Sequence, residues 1–598
     1  MKPVNVGEVP GPYNLVEVFE EATKKFADLE LFGTKDVGSG EYRWVTYRQV
    51  AERVDKLRGG LAGLGVGPGD GVAIISNNRV EWAVAAYASY GRGARFVPMY
   101  EAELTRIWKY IISDSGCKLL FVATPEIAAK VAPFVDEIDS LEYIVLLDGD
   151  GHDSMADLER RGAEQPVEST HPDGEDIAGL IYTSGTTGNP KGVLLSHRNL
   201  SSNVLAIFDA RPGNIGPGDR TLSFLPWAHS FGQIAELHLL VHAGASTGFA
   251  ESPKTIIDDI GIVRPTILVA VPRIFNKIYE GLHKKMAERG GLSKFLFEMG
   301  KAAAIAKREG RGGLLNGLKL AIADRLVFSK IRQRFGGRLK LAMSSSAALN
   351  RKIAEFFHDV GVPAYEAWGM TELSPAHTLN LPEANKFGSV GRPILGSWVE
   401  IDRSLTGPDS KDGEIIAYGP NVMVGYHNLP EETAKVLRQD GGLRTGDRGW
   451  VDEDGFMFIT GRIKEQYKLE NGKYIFPSEL EEAIKLSSFI EHCMLEGANR
   501  AFNVALVVPD FEVLEAWATK QGLSAEREAL VTKKEIVALI EEEVRKYCSE
   551  FARYEVPRKV LVVSESFTTE NGILTPTLKL KRREVNKRYG EKIAALFG

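Results

Sequence analysis

Between residues 71 and 344 the chain alternates short apolar runs with longer amphipathic stretches, and this rhythm restricts the fold more than any other feature. The runs "GVAIIS" (71–76), "ARFVPMY" (94–100), "KLLFVA" (118–123), "EYIVLL" (142–147) and "IAGLIYT" (177–183) read as buried strands. "TLSFLP" (221–226), "TILVAV" (266–271) and "LKLAMS" (339–344) continue the series. Between several of them lie helical patterns such as "EWAVAAYASYGR" and "PEIAAKVAPFVDEI". The alternation predicts an α/β fold with mostly parallel sheets covered on both faces, in two stacked or adjoining units.

Two changes of texture divide the rest. Residues 287–335 hold long helical patterns split by glycines, "LSKFLFEMGKAAAIAKREGRGG" and "LLNGLKLAIADRLVFSKIRQRF", which read as a helical insertion or lid. From about residue 398, "VEIDRS", "GEIIAYGP" and "GWVDEDGFMFITGR" read as short antiparallel strands joined by Asp-Gly turns. They predict a small β-barrel-like subdomain over about 398–462. Beyond it come the helical "SELEEAIKLS", the strand-like "FNVALVVPD" and a basic tail. The expected division is a large domain over 1–462 and a small α+β domain over 463–598.

Composition removes several function classes. A net charge of −7 over 598 residues gives no footprint for nucleic acid. The three cysteines, Cys117, Cys493 and Cys548, form no CxxC; they fit a reducing compartment and neither a disulfide framework nor a zinc site. No signal-peptide core and no run of about 18 apolar residues is present. A cytoplasmic location is expected, with peripheral contact at the inner face of a membrane and a homo-oligomer both left open.

The last strand of the first series enters "TSGTTGNPKG" (183–192). Glycines let backbone N–H groups converge on an anion, hydroxyls add donors without bulk, and Lys191 supplies a compact positive charge. This loop is not the common nucleotide P-loop. Aligned from Gly185, that pattern needs a glycine at Pro190 and a hydroxyl at Gly192, and both fail.

"YTSGTTGNPKG" resembles the phosphate loop of the adenylate-forming superfamily, which holds acyl-CoA synthetases, peptide-synthetase adenylation domains and beetle luciferases. Further motifs follow in the family's order: "FLPWAHSFGQ" (224–233), "AWGMTE" (367–372), "GEIIAYGP" (413–420), "RTGDRGW" (444–450), "ITGRIKEQYKLENGKYIFP" (459–477) and "LTPTLKLKRR" (574–583). The resemblance spans nearly the whole chain. It implies Mg²⁺, ATP and coenzyme A as cofactor and co-substrates, and small molecules as partners. It also implies a two-step reaction, in which a carboxylate attacks the α-phosphate and a thiol then displaces AMP.

The same resemblance implies the roles of individual residues. Thr183, Ser184, Gly185, Thr186, Thr187, Gly188 and Lys191 would hold the β- and γ-phosphates. Glu372 would direct Mg²⁺, with Thr183, and Thr371 would lie beside the α-phosphate. Ser345, Ser346, Ala347, Glu366, Ala367, Trp368, Gly369 and Met370 would surround the nucleotide, with the Trp368 ring against adenine. Asp447 and Arg462 would bind ribose, and His229 would flank the carboxylate path. Lys579 would bridge carboxylate and α-phosphate during adenylation, with Lys581 a rival for that role. Lys464 would be the hinge of a mobile C-terminal domain, and "KLENGKY" (468–474) would enter the site in the thioester-forming pose. Two departures stand out: Ser345 and Ser346 replace glycines of the family's "SGGAPL", and Leu578 replaces the glycine before the lysine.

The insertion at 287–335, "VAVPRIFNKIYEGL" (269–282) and "EQYKLENGKYIFP" resemble long-chain acyl-CoA synthetases more than acetyl or aryl ligases. The insertion's apolar faces would roof an alkyl tunnel, touch a bilayer or serve ordinary packing. Rival readings are a ligase for a medium-chain or aryl acid, a fatty acyl-AMP ligase feeding a carrier protein, and a non-catalytic nucleotide sensor. A hydrolase is also open, because "GASTG" (244–248) fits G-x-S-x-G.

Overall fold

The computed structural model describes residues 8–183, 189–210, 215–523, 526–575 and 578–598. Each of the eight apolar runs forms a strand, and the strands fall into two large sheets. The first is seven-stranded, with Arg95–Met99, Gly71–Ile75, Cys117–Val122 and Tyr143–Leu146 running parallel from its middle to one edge. The second is nine-stranded and places Ser246–Phe249, Arg220–Ser223, Ile267–Ala270, Leu341–Ser344 and Ala364–Gly369 in a parallel row. Antiparallel strands close its two edges, among them Tyr42–Thr46.

One continuous core joins the sheets. Helix Val80–Tyr90 has no polar face: ten of its eleven residues are buried, as expected for a helix enclosed on every side. Helix His197–Ala210 is buried along most of its length as well. An aromatic chain crosses this layer. Phe96 of the first sheet meets Trp82 at 5.0 Å, Trp82 meets Trp227 at 5.4 Å, and Trp227 meets Phe249 of the second sheet at 5.4 Å. Edge-on rings at these separations add to burial, so the chain fixes the spacing between the sheets.

The unit expected at 398–462 is a four-stranded antiparallel sheet of Trp398–Asp402, Gly413–Tyr418, Leu443–Val451 and Met457–Arg462. Residues 291–334 are helical throughout except for the turn at 309–313. Beyond residue 463 lie a two-stranded ribbon, Tyr467–Lys468 with Tyr474–Ile475, and a three-stranded sheet flanked by helices. The basic tail is less solvated than its composition suggests. Arg582 donates to the Leu495 carbonyl and pairs with Glu481, and Arg588 pairs with Glu565.

Two residues that stand in place of family glycines pay a conformational cost. Ser346 has φ +73° and Leu578 φ +59°, both in the left-handed region that side chains avoid. Ser345 does not share this conformation, so only one of the two glycine positions in "SSSAAL" demands it. Leu578 is exposed and has little packing to lose. Leu578→Gly is therefore expected to leave stability unchanged or raise it by up to about 1 kcal/mol, relief of left-handed strain outweighing glycine's extra chain entropy. Leu578→Ala, which keeps the Cβ, should show no such gain when denaturation midpoints are compared.

Candidate active site

The phosphate-loop motif is closed by a hairpin. Strand Ile177–Thr183 pairs antiparallel with Lys191–Ser196, and Thr183 lies opposite Lys191. Ser184, Gly185, Thr186, Thr187 and Gly188 lie outside the described residues. Lys191 Nζ is 2.6 Å from Glu432 Oε2 and 4.9 Å from the centre of the Tyr426 ring. Bonds from Lys191 and then Lys435 pull the Glu432 carboxyl down to about 2.

The "EAWGMTE" motif occupies the carboxyl end of strand Ala364–Gly369 and the 3₁₀ turn Thr371–Leu373 that follows. Carboxyl ends of parallel strands are where open α/β sheets bind ligands. Gly369 is required by close approach: a Cβ there would sit 1.8 Å from the Pro375 carbonyl oxygen. Met370 N–H donates to that same oxygen at 2.9 Å, which fixes the turn. Thr371 Oγ1 is 3.1 Å from Ser230 Oγ, so the turn is tied to the "PWAHSFG" segment. Glu372 accepts a hydrogen bond from the Tyr426 hydroxyl at 2.8 Å through one oxygen.

Trp368 Nε1–H donates to Asp447 Oδ2 at 2.9 Å, and Arg462 Nε lies 2.9 Å from Asp447 Oδ1. Asp447 and Arg462 face each other across adjacent strands of the four-stranded sheet. Asp447 is buried and held from two sides, while the Arg462 side chain is half exposed to the cleft. Trp368 is buried and meets His377 edge-on at 6.0 Å. Nearby, Ser345 is buried, whereas Ser346 and Ala347 are exposed. Ala367 lies between Glu366 and Trp368 on the strand, half-buried.

His229 caps the short helix that starts at Ser230, its Nδ1 accepting from Phe231 N–H at 3.1 Å. Burial, and then the charge on Lys579, push the imidazole down to about 3, so it is neutral with its proton on Nε2. Lys579 belongs to the C-terminal segment, yet its charge acts on His229, Arg462, Asp447, Glu465 and Glu372. Its backbone is clamped to Thr575, with Lys579 N–H donating to Thr575 Oγ1 at 3.0 Å. Lys579 is exposed as a residue, but desolvation by the protein around its charge, followed by Arg462, lowers its pKa. Lys581 lies at the start of helix Arg582–Ala595, its N–H bonded to the Ile573 carbonyl at 2.8 Å. Lys464 is exposed in the turn between strand Met457–Arg462 and the ribbon.

The structure also brings in residues that no motif pointed to. Tyr426 reaches Glu372 across 54 residues and Glu432 reaches Lys191 across 241, separations at which sequence pattern carries no signal. The serine of "GASTG" is disposed of: Ser246 starts a strand and donates to the Glu30 carbonyl at 2.8 Å, so no nucleophile elbow exists there.

Two buried carboxyls flank this region. Glu366 accepts from Leu349 N–H at 2.9 Å, and Glu236, on a π-helical turn, accepts from the Ser223 hydroxyl at 2.5 Å. Burial pushes both up to about 8 from an ordinary value of 4.5. Between those pH values the unfolded chain releases protons that the folded chain keeps, so stability falls as pH rises through the window. Glu236→Gln, which stays neutral, should raise the denaturation temperature more at pH 8 than at pH 5. Equal shifts at both pH values would refute the assignment.

The sequence matches the model of the AMP-binding enzyme family over residues 19–427 and that of the AMP-binding enzyme C-terminal domain over 464–598. It is 32% identical to a long-chain-fatty-acid–CoA ligase of Mycobacterium tuberculosis, over 98% of this chain and 99% of that one. It is 31% identical to long-chain-fatty-acid–CoA ligase 1 of Homo sapiens, over 93% of this chain and 82% of that one. Among solved structures, the adenylation domain of a carboxylate reductase from Mycobacterium chelonae superposes with a TM-score of 0.79 at 22% identity, covering 99% of this chain and 92% of that one. ATP-bound MatB from Rhodopseudomonas palustris superposes with a TM-score of 0.71 at 23% identity, covering 97% of this chain and all of that one. With both of its models matched in order and relatives aligned end to end, the chain belongs to the AMP-binding enzyme family.

Proposed function

We propose that this enzyme is an ATP-dependent long-chain-fatty-acid–CoA ligase that forms an acyl-adenylate, releases pyrophosphate, and transfers the acyl group to coenzyme A. The observation that carries the reading is the position of Lys579. A cation from the C-terminal segment acts on the same cleft as Asp447, Arg462, Glu372 and His229. Full-length similarity to ligases named for long-chain fatty acids supports the choice of acid.

A free carboxylate is a poor acyl donor because its leaving group would be an oxide. Attack on the α-phosphate of ATP replaces that leaving group with a phosphate monoester. Negative charge gathers between the carboxylate and the phosphorus, and an ammonium held there stabilises the transition state more than the ground state. Lys579 fills this role. Neutral His229 donates from Nε2 to the carboxylate without taking up its charge. Asp447, fixed by Trp368 and Arg462, receives the ribose hydroxyls. Thr183 and Lys191, with the loop between them, hold the phosphates.

Glu372 and Thr183 would hold a magnesium ion bound with ATP. Glu372 has one oxygen engaged by Tyr426 and the other left for the ion, and with Thr183 this suits a metal that takes most of its ligands from phosphate and water. When bound, such an ion would supply positive charge to offset that on pyrophosphate. For the second step the C-terminal domain turns about Lys464, withdraws Lys579 and brings the ribbon with Tyr467–Lys468 and Tyr474–Ile475 to the cleft.

Lys579→Ala is expected to cut acid-dependent pyrophosphate release by roughly a hundredfold or more. Conversion of supplied acyl-adenylate to thioester should survive. Intact pyrophosphate release would overturn the role of Lys579, and absence of AMP formation across acids of graded length would overturn the reaction. Trp368→Phe keeps a ring but loses the donor to Asp447. It should raise KM for ATP about tenfold, the loss of one hydrogen bond to a charged group, with a smaller change in kcat. An unchanged KM for ATP would show that Trp368 does not set the carboxylate.

A further inference from the structure

Helix Leu314–Ala323 and the π-helical turn Asp324–Phe328 that continues it carry a stripe that the reaction does not use. Leu314, Leu318, Ile322 and Leu326 recur every four residues and so share a face. All four are exposed, Leu314 at 97% of its full area, and Leu315 beside them is exposed too. The packing face of the same helix is a different one. Ala323, Val327 and Phe328 are buried, and they meet helix Gly291–Arg308 at Gly300, where a Cβ would lie 2.5 Å from the Ala323 Cβ. Near its start, helix Gly291–Arg308 adds exposed Leu292 and Phe295. Seven of the sixteen large hydrophobic residues exposed among the described residues thus fall within 292–326. Apolar residues scattered singly need no explanation, but a cluster marks a contact surface.

The charge around the stripe identifies its partner. Residues 287–335 hold eleven Lys and Arg against four Asp and Glu, in a chain whose net charge is −7. Helix Leu314–Ala323 contains no acidic residue, and Arg311, Lys319 and Arg325 are exposed beside the leucines. A second copy of the chain would bring this positive segment against itself. A surface of anionic headgroups over an acyl interior complements both the cations and the leucines, which is how amphipathic helices lie in a membrane interface. Among the described residues no helix is long and apolar enough to cross a membrane.

We propose that this face docks on an anionic lipid bilayer, with Leu314, Leu315, Leu318 and Ile322 entering the acyl boundary and Arg311, Lys319 and Arg325 meeting headgroup phosphates. The inference holds whichever acid the enzyme activates.

The test is sedimentation of the full-length protein with vesicles of phosphatidylcholine alone or with added phosphatidylglycerol. Binding should require the anionic lipid and weaken as salt is raised. Lys319→Gln and Arg325→Gln should each weaken it by roughly fivefold, the value of one basic residue at such a surface. The triple change Leu314→Ser, Leu315→Ser and Leu318→Ser should abolish it, while circular dichroism and activity on a micellar-free soluble acid stay as in the wild type. Vesicle binding that neither set of changes affects would overturn the proposal. So would failure of the wild type to bind, whether it is then monomeric or forms a dimer that the serine variant dissolves.

Discussion

Asp447 is the point on which the separate parts of the site depend. Its carboxylate is fixed by an indole N–H from the nine-stranded sheet and by a guanidinium from the next strand of the four-stranded sheet. Arg462 is the last residue of its strand, and the turn that leads into the C-terminal segment begins at Ile463. One buried carboxylate therefore joins the strand end that presents Trp368 and Glu372 to the place where the chain leaves for Lys579. A buried charge is tolerated only when its lone pairs are met, and both oxygens of Asp447 are met by donors. Disturbing either donor would affect both sheets.

The sheets were legible in the sequence because strands covered on both faces are predominantly apolar, and the eight runs between 71 and 344 are apolar at most of their positions. Glu30–Lys35 and Tyr42–Thr46 were not legible: they lie toward one edge of the nine-stranded sheet and mix charged, polar and aromatic residues. The site divides in the same way. Its motifs could be recognised from resemblance, since each is a contiguous string. Its cross-links could not, because Tyr426 with Glu372 and Glu432 with Lys191 join residues that only the tertiary fold brings together. The donor role of Trp368 lay between these cases. The motif marked an aromatic position, but which atom of the ring is engaged depends on where Asp447 stands.

Positive φ at Ser346 and Leu578 connects backbone strain to the departures from the family pattern. Both residues lie in segments that the proposed function places at the nucleotide, one in "SSSAAL" and the other directly before Lys579. Strain of this kind persists where surrounding structure over-determines it, and it concentrates at functional sites. Left-handed backbone at Ser346 and Leu578 is consistent with paths set by the surrounding structure rather than by the side chains present.

The charge balance of the cleft bears on the proposed role of a cation from the C-terminal segment. Lys191 is paired with Glu432, and Arg462 with Asp447. These two cations are already neutralised by carboxylates close at hand. Lys579 differs: it feels Asp447, Glu465 and Glu372 through charge at a distance, while burial and Arg462 act against its protonation. A polyphosphate in the cleft would shift that balance, because its negative charge favours the ammonium form of Lys579. On the proposed reaction, occupancy by nucleotide and insertion of Lys579 would stabilise one another, and loss of pyrophosphate would remove part of the attraction that holds the lysine in place. Under that proposal, departure of the leaving group would itself favour the domain's release.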